Sequence, residues 1–177
     1  MTVKVLNSEI LFQGRIISLV KERIILDNGA TTDSYIFRHP GASAIVPFSD
    51  REKVILVKQY RHSVGEYLWE IPAGTLLSQE SPLACAQREL IEETGFSAKT
   101  WHGLGSIIPG PGYSDERIYL FLAENLSHSE QQLDSDEVLQ VHEIALDEAI
   151  EMISCGRIRD AKSVCGLLHA RQWINAK

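Results

Sequence analysis

Three glutamates, Glu89, Glu92 and Glu93, fall within five residues near the end of a segment marked at both ends as a helix. Ser81-Pro82 opens it in the favoured order, an N-cap hydroxyl and then proline at the first helical position. Gly95 follows as a C-terminal cap. These signals predict a helix over 82–94. At about 100° per residue, Leu83, Leu90, Ile91 and Thr94 share one arc and the three carboxylates take the opposite one, with Gln87 intruding on the apolar side. Carboxylates three and four residues apart are neighbours on a helix surface and repel. They persist where water screens them or a cation lies between them. A solvated acidic face is the ordinary outcome. The other is a hard divalent cation such as Mg²⁺, which takes one or two carboxylates together with substrate phosphates.

The rest of the chain supplies strands around this helix. Residues 3–38 form a β-rich segment, with runs at Arg15–Val20, Lys21–Leu26 and Thr32–Phe37 and a turn signal at Asp27-Asn28-Gly29. Further strands are expected at Ser43–Phe48, Lys53–Gln59, Tyr67–Ile71, Trp101–Ile108, Arg117–Ala123 and Val138–Ile144. The continuous VILV of the second of these predicts burial on both faces. Asp147–Cys155 and Ala161–Ile174 read as helices. Strands and helices without strict βαβ alternation indicate an α+β, or mixed α/β, fold.

Composition narrows the classes. A chain of 177 residues with 44% hydrophobic and 23% charged residues can bury one sizeable core. Its net charge of −7, without a Lys/Arg cluster, argues against nucleic acid as a partner. No apolar run approaches the roughly 18–20 residues that span a bilayer, and the first residues lack the apolar core of a secretory signal. Three cysteines without a CxxC fit a reducing compartment. A cytoplasmic location is expected, with no membrane partner.

Gly74, five residues, Glu80, seven residues, then Arg88-Glu89-Leu90-Ile91-Glu92-Glu93-Thr94-Gly95-Phe96 fills every fixed position of the pattern G-x5-E-x7-R-E-U-x-E-E-x-G-U, where U is a bulky apolar residue. The pattern is the Nudix box, and the chain resembles the Nudix hydrolases, which cleave nucleoside diphosphates linked to another moiety. Further segments resemble the ADP-ribose pyrophosphatase branch: His39-Pro40-Gly41-Ala42, Val57-Lys58-Gln59-Tyr60-Arg61, Trp69-Glu70-Ile71-Pro72-Ala73-Gly74, Pro109 to Glu116, and Arg159-Asp160-Ala161-Lys162-Ser163. One departure stands out: Gly110-Pro111-Gly112 occupies the place of the branch's Ser-Pro-Gly, so a hydroxyl is missing. The similarity covers roughly residues 12–170.

The resemblance implies a Nudix-type α/β/α sandwich over 39–177 with an N-terminal β-rich dimerisation segment over 1–38. It implies a Mg²⁺-dependent pyrophosphatase, with Mn²⁺ as the substitute metal, that converts ADP-ribose to AMP and ribose 5-phosphate. Alternatives are a pyrophosphatase of GDP-mannose or ADP-glucose, or a non-catalytic nucleotide sensor. The expected metal ligands are Glu89, Glu92, Glu93 and the Ala73 carbonyl. Arg88 would fix the carboxylate geometry by reaching Glu80 or Glu92. The general base is expected on the acidic loop 133–137, with Glu137 first and Asp136 second; Glu92 is the next candidate. Arg61 and Glu70 are substrate-binding candidates, toward phosphate or base and toward an adenine amino group; an ion pair is the alternative for Glu70. Gly112 would admit close backbone approach, and Glu116 would serve the metal-water network. Tyr35, Phe37, Tyr67 and Trp101 are the aromatic candidates for stacking on a base. A homodimer is expected, since the N-terminal strands alone would expose apolar surface.

Overall fold

The computed structural model describes residues 3–50, 52–133 and 138–177. The chain divides into two compact units, Met1–Gly41 with Ile108–Arg117, and Ala42–Ile107 with Ile118–Lys177.

The first unit is an antiparallel meander of β1 (Lys4–Gln13), β2 (Ser18–Ile25) and β3 (Thr31–Arg38), in that spatial order. The turn expected at Asp27-Asn28-Gly29 joins β2 to β3, with Gly29 N–H donating to the Leu26 carbonyl at 2.9 Å. Two of the expected strands, Arg15–Val20 and Lys21–Leu26, are one continuous strand, β2, because it pairs along its length with β3. The loop 108–117 is tied to the end of β3. Phe37 N–H donates to the Tyr113 carbonyl, and Arg38 bridges Glu22 at 2.7 Å and Asp115 at 2.9 Å. Every residue of β1 is exposed, including Val5, Leu6, Ile10, Leu11 and Phe12.

The second unit contains two sheets. One has the order β10-β5-β6, from β10 (Leu139–Ala145), β5 (Lys53–Arg61) and β6 (Glu66–Glu70), all antiparallel. The other has the order β7-β4-β9-β8, from β7 (Ala73–Thr75), β4 (Ala42–Pro47), β9 (Ile118–His128) and β8 (Phe96–Ile107), with β4 and β9 parallel. Helix α1 (Pro82–Thr94) packs on β4 and β7, and α2 (Leu146–Ser154) packs on α3 (Ala161–Asn175). Alternation along β4 sets the layers. Ala44 and Val46 enter the larger core with Leu56, Ile71, Leu120, Met152 and Leu167, while Ile45 turns to the smaller core with Ala86 and Leu90 of α1. This is the mixed α/β sandwich expected. Val54, Ile55, Leu56 and Val57 are all buried, as the continuous apolar run predicts.

Helix α1 has the bounds read from its caps: the Ser81 hydroxyl accepts from Ala84 N–H, and Gly95 takes a left-handed φ of 71°. The facing is different from the wheel. The buried residues are Cys85, Ala86, Glu89, Leu90, Glu93 and Thr94, while Leu83 is exposed. Glu89 and Glu93, one turn apart, therefore face inward beside Leu90, and only Glu92 sits at the margin. The acidic arc is not a solvated face, because β7 lies against it, with Ala73 at Glu93 and Gly74 at Glu89.

Candidate active site

Arg88 organises the carboxylates. Its Nε and Nη2 donate to the two oxygens of Glu80 at 2.9 Å each, and its Nη1 donates to Glu89 at 2.6 Å and Glu92 at 2.8 Å. Nη2 also reaches the Thr75 carbonyl at 3.2 Å. One guanidinium thus orients three of the box glutamates, a task for which its rigid fork suits it. Hydrogen bonding to Glu80, opposed by burial and reinforced by Glu92 and Glu89, holds the Arg88 proton more tightly than usual. In return Arg88, together with the Leu77 N–H, keeps the Glu80 carboxyl below its ordinary range.

The other wall is backbone. Ala73 N–H donates to Glu93 Oε2 at 3.1 Å, so Ala73 and Glu93, twenty residues apart, are adjacent. A Cβ on Gly74 would lie 1.9 Å from the Glu89 carboxylate, a distance no two non-bonded heavy atoms tolerate. Glycine at 74 is what lets the Glu89 carboxylate lie against the main chain.

This donor set fits a hard divalent cation. Three carboxylates, on Glu80, Glu89 and Glu92, share one guanidinium, and Glu93 is held by the Ala73 N–H, so ionised the four leave an excess of three negative charges. All the offered ligand atoms are oxygen, as Mg²⁺ requires. Among the described residues no group of three or more His, Cys, Asp or Glu side chains is arranged to hold a metal ion by itself.

Arg61 and Glu70 pair with each other. Arg61 Nε and Nη2 donate to the two Glu70 oxygens at 2.9 and 2.7 Å, and Lys162 Nζ donates to Glu70 Oε2 at 2.5 Å. Glu70 is 1% exposed. Burial alone would raise its carboxyl, but the Arg61 hydrogen bonds and the Lys162 charge outweigh it and hold the group at about 2. Of the two readings for Glu70, the ion pair is what the structure contains, and both its oxygens are engaged.

Gly112 and Glu116 belong to the first unit. There a cavity of about 270 Å³ is lined by Phe37, Tyr113, His39, Ser114 and Glu116, with Ile17 and Pro109. A Cβ on Gly112 would meet nothing within 4 Å, so its surroundings are open. Of the aromatic candidates, Phe37 lines this cavity, Tyr35 and Tyr67 are exposed, and Trp101 packs in the small core beneath α1. Trp101 is half-buried against that core. Glu137, Asp136 and Asp134 lie outside the described residues.

Residues 160–163 were legible as a motif but not as a part of this region. Their side chains meet Glu70 and the backbone of Ile71. The only sequence signal for that was the Asp-Ala-Lys resemblance itself.

The NUDIX domain family matches residues 37–165. With the box geometry above, the chain belongs to the Nudix hydrolase family. It is 38% identical to an ADP-ribose pyrophosphatase of Bacillus subtilis, over 98% of this chain and 93% of the relative. It is 40% identical to a methanol dehydrogenase activator of Bacillus methanolicus, over 91% and 88%, and 30% identical to a GDP-mannose pyrophosphatase of Shigella flexneri, over 84% and 91%. A crystal structure of an ADP compounds hydrolase shares the fold at 22% identity, with a TM-score of 0.87 over 99% of this chain and 96% of that one. Among the described residues no helix is long and apolar enough to cross a membrane.

Proposed function

We propose that the chain is a divalent-metal-dependent pyrophosphatase that adds water to the diphosphate of ADP-ribose, breaking the bridging P–O bond and releasing AMP and ribose 5-phosphate. The observation that carries the chemistry is the Arg88-centred carboxylate set closed on one side by Ala73 and Gly74. Near-full-length similarity to an ADP-ribose pyrophosphatase supports the substrate.

Glu89, Glu92, Glu93 and the Ala73 carbonyl would hold the ion, with Mg²⁺ the first choice and Mn²⁺ the substitute. When bound, the ion neutralises diphosphate oxygens and lowers the pKa of water. Arg88 keeps the carboxylates in register. Arg61, 38% exposed at its side chain and fixed by Glu70, directs its remaining donors toward a phosphate or base. Glu137 takes the proton of the attacking water, and Gly112 and Glu116 are substrate-binding residues. The exposed apolar β1 supports a homodimer. A cytoplasmic location agrees with the nucleotide substrate.

The deciding experiment is a panel of ADP-ribose, ADP-glucose and GDP-mannose incubated with purified protein and Mg²⁺, with AMP and GMP release followed by chromatography. Preferential AMP release from ADP-ribose is expected. Preferential GMP release from GDP-mannose would overturn the substrate assignment, and binding without turnover would favour a sensor.

A further inference from the structure

Two stretches close in sequence carry the arginine and main-chain parts of the site, 59–61 at the end of β5 and 70–74 from the end of β6 into β7. Both are fastened by the first turn of α3. Asp160 caps that helix, its Oδ2 accepting from Ser163 N–H at 3.0 Å, from the Ser163 hydroxyl at 2.5 Å and from Lys162 Nζ at 3.0 Å. The Ser163 hydroxyl, its own proton committed to Asp160, accepts from Ile71 N–H at 2.8 Å in a fully buried contact. Two residues on, Ala73 N–H is committed to Glu93, and between them the Pro72 carbonyl accepts from Ile45 N–H at 2.9 Å. Every hydrogen-bonding main-chain group leading from Ile71 N–H to Ala73 N–H that these contacts describe is thus pinned to a different element: α3, β4 and α1.

Packing brings α3 to the same spot. Gly166, one turn after Lys162 and Ser163, lies against Ile71, and a Cβ there would be 2.7 Å from Ile71 Cδ1 and 3.2 Å from Val46 Cγ2. The absent side chain sets the approach that lets Ser163 reach the Ile71 amide. The neighbouring residue, Lys162, is 9% exposed and spans from Asp160 to Glu70, which in turn holds Arg61 by both oxygens.

We propose that Asp160, Lys162 and Ser163 are positioning residues with two separate outputs, resting on the reading of Ala73 and Arg61 given above. Ser163, aimed by Asp160, sets the backbone that presents the Ala73 carbonyl to the metal. Lys162, through Glu70, sets the guanidinium of Arg61 toward substrate. None of the three touches the reacting atoms. Removing an outer partner of a metal site commonly weakens metal binding or activity about 10–100-fold.

The test uses Ser163→Ala, Ser163→Thr and Lys162→Met in the full chain, each checked by thermal melt. Metal binding is read as free Mn²⁺ by electron paramagnetic resonance without substrate, and kcat and KM are measured for ADP-ribose. Ser163→Ala is expected to weaken Mn²⁺ binding at least about tenfold, and Ser163→Thr, which keeps the hydroxyl, to restore it. Lys162→Met is expected to leave Mn²⁺ binding unchanged and to raise KM about tenfold. Wild-type Mn²⁺ binding in Ser163→Ala and wild-type KM in Lys162→Met would overturn the proposal while leaving the metal assignment intact. A wild-type protein that neither binds Mn²⁺ nor turns over a nucleoside diphosphate would instead remove the reading beneath it. Should Ser163→Ala not fold, Gly166→Ala replaces it: displacing α3 from Ile71 is expected to weaken Mn²⁺ binding, and unchanged binding in a folded Gly166→Ala counts against the proposal.

Discussion

Glu89 occupies the space where a side chain on residue 74 would begin, its carboxylate carbon 1.9 Å from the position of a Gly74 Cβ. The obstructed atoms are the far end of a flexible side chain, so the helix need not move when that space is filled. Gly74→Ala is therefore expected to fold with a stability loss of about 1 kcal/mol, within the usual range for single substitutions. It is expected to lower kcat by about 10²-fold or more, since displacement of a reacting group by an ångström has that scale of effect. Chemical denaturation beside steady-state kinetics measures both. A Gly74→Ala enzyme with wild-type kcat would show that the Glu89 position is not used.

Glu89→Gln and Glu93→Gln keep an acceptor for Arg88 and for Ala73 N–H respectively, and each removes one negative charge from a crowded set. Each is expected to lower kcat by orders of magnitude with little change in Tm. Near-normal turnover in both variants would sink the metal-ligand assignment.

Glu137 is assigned to proton transfer. Glu137→Gln is expected to reduce kcat about 10²–10⁴-fold while leaving the calorimetric Kd of a non-hydrolysable ADP-ribose analogue nearly intact. Asp134→Asn is expected to do little, with Asp136→Asn between the two. Should Glu137→Gln retain wild-type kcat, the base lies elsewhere, and Glu92 is next.

The Glu70 carboxyl is depressed from 4.5 to about 2 in the folded chain. A depressed carboxyl contributes stability that is complete above the unfolded value and disappears as pH falls through the folded one. The difference in unfolding free energy between wild type and Glu70→Gln is therefore expected to be constant above about pH 5 and to shrink toward pH 2. The pH-dependent part is on the order of 3 kcal/mol. Urea melts across that range measure it, and a difference independent of pH would exclude the pair as the source.

Exposed Ile10 and Phe12 on the edge strand β1 are expected to be covered in a homodimer. Sedimentation of the wild type is expected to give a dimer, and the double substitution Ile10→Glu with Phe12→Glu a monomer. A fully active wild-type monomer would refute this.

Much of the molecule follows from local chemistry alone. Ser81, Pro82 and Gly95 determine where α1 begins and ends, because a cap needs only its own side chain and the nearest backbone. The spacing from Gly74 to Phe96 specified the family, and the unbroken VILV of β5 specified a strand buried on both faces. Which side of α1 faces inward was not readable in the same way. A helical wheel ranks residues by polarity, and here Glu89 and Glu93 are buried because Arg88 and Ala73 N–H are there to meet them. The pairing of Glu70 with Lys162, and of Ser163 with Ile71 across 92 residues, likewise depended on how α3 docks. Sequence spacing determines neighbours along one element. Contacts between elements are set by the packing of the whole core, so only the tertiary structure decides which buried charge meets which partner.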